Sequence, residues 1–151
     1  MTLELKDLLL EKPVTLIYWE LGGDFNKIFS FFERDTELRS INALEEIYSW
    51  FNALQVKNFI AGVKNIEKIK EINEIFKKLP IEKRREIFVI YISPELKTLD
   101  TRESFLYSAN LVVNEKDLSE MDRIYEKAKT FWLNLYKPYY QTWERILKEE
   151  G

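Results

Sequence analysis

Ile87-Phe88-Val89-Ile90-Tyr91-Ile92-Ser93 decides the fold. Its first six residues are all β-branched or aromatic, and Ser93-Pro94 ends the run. The stretch is too short for a buried helix, and its composition suits a strand covered on both faces. Such strands sit in the middle of parallel sheets with helices on either side. The rest of the chain is therefore expected to supply neighbouring strands and their helical cover.

Upstream, Val14–Glu20 reads as a first strand, Leu38–Ile41 as a short second and Val56–Val63 as a third. Between them, Phe25, Ile28, Phe29 and Phe32 recur at helical spacing, which predicts a helix to about Glu33. Leu44, Ile47, Tyr48, Phe51 and Leu54 predict a second helix capped by Asn42. Ile66, Ile69, Ile72, Ile75, Phe76 and Leu79 predict a third, capped by Asn65 and stopped by Pro80. A basic turn, Glu82-Lys83-Arg84-Arg85, leads into the central strand. Residues 2–12 suggest a short opening helix capped by Thr2 and ended by Pro13.

Downstream, Thr101–Ser108 predicts a short helix and Leu111–Val113 a fifth strand. Ser119-Glu120-Met121-Asp122 has the form of a capping box with Asp in place of Glu, opening a long last helix. Its inward stripe is Met121, Ile124, Tyr125, Ala128, Phe131, Trp132 and Leu135. The order βαβαβαβαβα, with short loops and no internal repeat, predicts an α/β fold. It is a doubly wound, five-stranded parallel sheet with an extended C-terminal helix. The expected organisation is a short helix in 1–13, the α/β body in 14–137 and a helical extension in 138–151.

The chain has 151 residues, 46% hydrophobic and 15% aromatic, enough for one domain with a full core. A net charge of −3 argues against nucleic acid as a partner, since phosphate binding needs a basic face. No run of about 18 apolar residues suggests a membrane span, and the start does not read as a signal peptide. The absence of Cys and His excludes disulfides, thiolate zinc sites, Cys nucleophiles and His-based triads. No cofactor or metal is expected. The Lys-, Glu- and Ile-rich composition, with 4 Gly, is that of a thermophile's cytoplasmic protein.

Five strand–helix units of this size resemble the receiver domain of two-component response regulators, a flavodoxin-like fold. Phe88–Ser93, Ser104–Asn110 and Leu111–Val113 have the spacing of the receiver's fourth strand, fourth helix and fifth strand. Leu79-Pro80, Lys83–Val89 and Asn110–Leu118 resemble degenerate receiver-like domains of uncharacterised bacterial proteins. Some of those carry a zinc ribbon, which a chain without Cys lacks. The resemblance spans roughly residues 14–137. It implies an acidic pair after the first strand, an acceptor Asp at the end of the third, a Ser or Thr after the fourth and a Lys after the fifth. Such groups neutralise charge around an in-line phosphoryl transfer. Here the first strand ends in Trp19-Glu20 and the third in Gly62-Val63. Ser93 stands at the Ser/Thr position, Asn114-Glu115 occupies the Lys position, and Lys116 comes late. The resemblance thus implies a pseudo-receiver without aspartyl phosphorylation.

Three places are candidates for function. Glu20, Gly22, Gly23, Asp24, Ser93 and Lys116 would meet at the carboxyl edge of the sheet, where open α/β folds bind ligands. A tight turn with Asp24 as helix cap accounts for the same residues. Lys83-Arg84-Arg85 with Lys77 and Lys78 could dock an acidic partner or phosphate, or form a solvated surface turn. In the last helix, Ser119–Lys137 already spans about 28 Å, against a radius of gyration of about 15 Å for the domain. Beyond Pro138 come Tyr139, Tyr140, Trp143, Ile146 and Leu147, again at helical spacing. With Phe131, Trp132 and Tyr136 they make a candidate interface, since large exposed aromatics are poorly tolerated on monomers. That extension either pairs with a second copy or a protein partner, or folds back at Pro138. The functional expectation is a non-catalytic interaction or signalling adaptor module. The alternative is a small-ligand or nucleotide sensor at the carboxyl edge.

Overall fold

A computed structural model describes residues 5–9 and 12–134. Five strands, β1 (Val14–Trp19), β2 (Glu37–Ile41), β3 (Val56–Gly62), β4 (Phe88–Ser93) and β5 (Leu111–Asn114), form one sheet. Every pairing is parallel, and the order is β2-β1-β3-β4-β5. That is the flavodoxin-like arrangement, with its topological switch between β1 and β3. β4 lies between β3 and β5, and its Val89–Ser93 are buried, as a strand covered on both faces requires.

Alternation along the strands divides the core in two. Leu16, Phe59, Val89 and Val112 face one layer, packed with α2 (Glu46–Ala53) and α3 (Ile66–Lys77). Ile17, Ile60, Ile90 and Leu111 face the other, packed with Phe29 and Phe32 and with α6, which runs through residues 121–134. Two short helices complete the first layer, α4 (Ile81–Arg85) and α5 (Thr101–Leu106). No helix among the described residues is long and apolar enough to cross a membrane.

Local chemistry alters several expected elements. The helix expected from Phe25 to Glu33 is a four-residue α1 (Phe25–Ile28) followed by a 3-10 turn, Ser30–Arg34. With three residues per turn, a 3-10 segment projects Phe29 and Phe32 the same way. Both are buried, and Phe32 meets the Tyr125 ring of α6 at 4.6 Å. Burial first, and Asp35 second, push the Tyr125 phenol up to about 12. Asn42 does not cap α2. Instead the Glu46 carboxylate reaches back to accept from Asn42 N at 2.9 Å and Ala43 N at 3.2 Å. The Ser119–Asp122 capping box does not form either. A 3-10 turn, Glu115–Glu120, leads directly into α6, and Asp122 accepts from the adjacent Arg123 N. Asn65 caps α3 as expected, accepting from Lys68 N at 3.2 Å. The opening segment is a 3-10 turn, Leu5–Leu9, held by Asp7 on Arg39 at 3.0 Å. The expected cap Thr2 lies outside the described residues.

Below the sheet's amino end runs a buried polar chain. Asn58 Nδ2 donates to Thr15 Oγ1 at 3.0 Å, and the hydroxyls of Thr15 and Thr36 meet at 2.7 Å. Thr36 Oγ1 then donates to Phe32 O at 2.6 Å. Each hydroxyl has one proton, so the donors must run in that order.

Candidate functional site

The carboxyl edge of the sheet is closed by its own side chains. Gly62 ends β3, and the half-buried indole of Trp19, its register partner on β1, lies over it. A Cβ on Gly62 would stand 2.4 Å from Trp19 Cε3. The indole is held by Phe29 edge-on at 5.5 Å, by Phe25 at 6.0 Å, and by its Nε1, which donates to Gly22 O at 3.3 Å. The end of β3, where a phosphoacceptor carboxylate would have to stand, is filled by an aromatic ring. The sequence carries both residues, and the missed signal was their pairing: a large aromatic ending one parallel strand beside a glycine ending the next.

The predicted edge residues are each tied down in a different way. Glu20 N donates to Gly62 O at 2.7 Å, and its carboxylate accepts from Tyr18 OH at 3.3 Å. Lys68 of α3 lies 5.8 Å from the Tyr18 ring. Burial, and then the Glu20 carboxylate, hold the Tyr18 phenol above its ordinary range. Gly22 is exposed, and Gly23 takes φ +90, the left-handed conformation that glycine supplies without strain. Asp24 caps α1, accepting from Asn26 N at 3.1 Å and Lys27 N at 3.4 Å. Glu20 and Asp24 thus serve separate elements, and no cluster of three potential metal ligands occurs among the described residues.

Ser93 is fully buried, and its Oγ accepts from Glu95 N at 3.2 Å. Next to it, Asn114 Nδ2 donates to Leu96 O at 2.7 Å and to Pro94 O at 3.3 Å. Asn114 Oδ1 accepts from Lys116 N at 3.0 Å, and Lys116 is exposed. Asn114 therefore laces the β4 and β5 loops together at the place where the resemblance would put a lysine.

The outer flank of the sheet is less finished. α5 has six residues, about 9 Å of helix, too little to cover the β4–β5 end. Five of the eight exposed large apolar side chains among the described residues fall between positions 99 and 133. Phe105 is 70% and Phe131 43% exposed, and with Leu99 they rim an apolar groove of about 230 Å³ between α5 and α6. The expected inward stripe of α6 therefore holds through Ala128 and fails at Phe131. Trp132 is half-buried, and its Nε1 donates to Asn110 O at 2.7 Å. Phe131 stacks edge-on against it at 5.8 Å. Leu99 holds φ +61, which a branched side chain rarely adopts. Tyr136, Tyr139, Tyr140, Trp143, Ile146 and Leu147, the rest of the candidate interface, lie outside the described residues, as does Leu135.

The basic run is also divided by the structure. Lys83 Nζ donates to Phe51 O at 2.6 Å, tying α4 to the last turn of α2. Lys77 pairs with Glu74 at 2.9 Å, and Lys78 and Arg85 are exposed. Tyr91 is buried, and its hydroxyl donates to Asn73 Oδ1 at 2.6 Å. No family model, no curated protein and no solved structure matches this chain.

Proposed function

We propose that this chain is a non-catalytic interaction module, a receiver-like fold without phosphoryl chemistry, that associates with a second copy of itself through the α5–α6 flank. The observation that carries this reading is the exposed apolar groove rimmed by Leu99, Phe105 and Phe131. Exposed clusters of that kind mark association surfaces on soluble domains. The solvent side of α6 alternates Asp122, Arg123, Glu126, Lys127 and Lys129. A face carrying both signs can match its own copy across a two-fold axis. The aromatic stretch beyond Pro138 continues from the same helix in sequence.

Two observations support the absence of catalysis. Gly62 carries no acid and has no room for one beneath Trp19. Ser93 and Asn114 are spent on loop bonds. A sensor at the carboxyl edge would have to displace those same bonds.

Light scattering over a range of concentrations tests the reading. The intact chain is expected to dimerise, and Phe105→Asp to weaken the dimer at least about tenfold, as loss of one buried aromatic predicts. Because Phe105 is exposed, the variant should unfold at the parent temperature at concentrations where both chains are monomeric. A wild-type chain monomeric throughout would overturn self-association, and a dimer indifferent to Phe105→Asp would move the interface elsewhere.

A further inference from the structure

A second opening, about 600 Å³, lies between α3 and α5 on the other side of α5 from the groove. That volume falls in the range of small-molecule sites. Three cations line it, Lys70, Lys77 and Arg84; Lys77 pairs with Glu74 at 2.9 Å and Lys70 with Glu67 at 3.6 Å, and Arg84 has no ion pair among the described residues. Its apolar lining includes Phe76, Val89 and Tyr107.

Arg84 is the decisive residue. Arg84 is half-buried: its Nε is buried with no hydrogen-bond partner among the described residues, and its side chain lines the cleft. Leaving a charged donor unsatisfied inside a protein is costly. Among the described residues Trp50 Nε1 and Asn58 Oδ1 also lack partners, but neither residue lines one of the openings described there. Asn73 adds further donors. Tyr91 occupies its Oδ1, and burial holds the Tyr91 phenol protonated by raising it far above its ordinary value. The Asn73 amide is thereby turned so that its N–H₂ is left to donate, and Asn73 lines the same cleft.

We propose that this cleft binds a small organic phosphate of nucleoside-monophosphate size, with the dianion on Arg84 and the flat body against Phe76 and Tyr107. The unmatched guanidinium of Arg84, with Lys77 and Lys70 beside it, favours an anion in the cleft. Arginine's planar fork suits phosphate oxygens. The site is separate from the carboxyl edge and from the α5–α6 groove, and it does not depend on self-association.

The test is a titration of the intact chain with AMP, followed by backbone amide resonances, with adenosine and inorganic phosphate as comparators. AMP is expected to shift Arg84, Tyr107 and Ser108 at concentrations up to about 1 mM, the weak end of specific binding. Adenosine and phosphate should each bind at least about tenfold more weakly, since each supplies one half of the contacts. Arg84→Met should weaken AMP at least about tenfold and raise the ligand-free melting temperature by about 2–4 °C, because it removes an unpaired buried donor. A merely structural arginine would give the opposite sign. If Arg84→Met fails to fold, Lys77→Gln, whose side chain is 66% exposed, carries the same affinity test. Absence of AMP shifts in the cleft, equal binding of adenosine, or undiminished affinity in the variant that folds would overturn the proposal.

Discussion

The carboxyl edge over β1 and β3 and the flank around α5 are finished in opposite ways. At the edge, Trp19 lies on Gly62, and Glu20, Asp24 and Ser93 each hold an internal bond. On the flank, a six-residue helix leaves Phe105 and Leu106 exposed and an opening on each side of it. α3, twelve residues long, spans about 18 Å and covers its share of the sheet. The accessible chemistry of this chain therefore lies where the helical cover is short, and the strand ends, the usual place in such sheets, are packed.

Trp19 and Gly62 offer the largest test of that contrast. The indole is fixed by Phe25, Phe29 and Gly22, so it cannot swing away as a flexible side-chain tip would. Gly62→Ala should cost about 2–3 kcal/mol through overpacking. Trp19→Ala should cost a similar amount, about 2–3 kcal/mol, less than for a fully buried Trp. The double variant should fall short of the sum by at least about 1 kcal/mol, because removing the ring removes the clash. Urea unfolding of the four chains measures this. Full additivity would mean that the edge is not packed by this pair, and the contrast would fail.

Two residues bracketing α5 give the next, smaller test. Ser108 holds φ +54, with Ala109 N bonded to Ser104 O at 2.8 Å and Ser108 N to Phe105 O at 3.3 Å. That is the Schellman pattern with serine in the place glycine prefers. Ser108→Gly should stabilise by about 1 kcal/mol, and Ser108→Val should destabilise. Leu99→Gly should gain a similar backbone relief, about 1 kcal/mol, while weakening self-association. Thermal unfolding and light scattering on the same variants separate the two effects. A loss of stability in Ser108→Gly would show that the flank is tighter than its exposure indicates.

Most of the sheet was legible, and the reason is physical. Strands buried on both faces must be apolar throughout, so β1, β3 and β4 stand out as runs, and Gly, Pro and Asn mark their ends. The alternation with helices then leaves few topologies. The Trp19–Gly62 contact was not legible as a pair, because 43 positions separate them and only strand register joins them. Nor was the fate of Lys83-Arg84-Arg85. On a helix, successive residues point about 100° apart, so one basic run sends Lys83 to α2, Arg84 into a cleft and Arg85 to solvent. The split of the first helix was hidden because aromatic spacing of three suits a 3-10 turn as well as an α-helix.

The smallest effect is expected at an exposed ion pair at the amino end of the sheet, outside both the closed edge and the α5 flank. Asp35 follows the 3-10 turn at 30–34, and its Oδ2 meets Lys57 Nζ of β3 at 2.6 Å. The Lys57 bond holds the Asp35 carboxyl below its ordinary 3.8, against burial, which pushes the other way. With the folded value depressed, the unfolded chain takes up the proton first as pH falls. The contribution is therefore complete above the unfolded value and lost as pH drops through the folded one. Both side chains are about half exposed, 58% for Asp35 and 45% for Lys57, so screening should keep the pair below about 0.5 kcal/mol. Asp35→Asn should lower the urea midpoint slightly at neutral pH, and the difference should vanish in acid and shrink in about 1 M salt. A loss comparable to that of Gly62→Ala would show that tight packing is not confined to the carboxyl edge, and the contrast between closed edge and open flank would lose its force as a rule for the whole sheet.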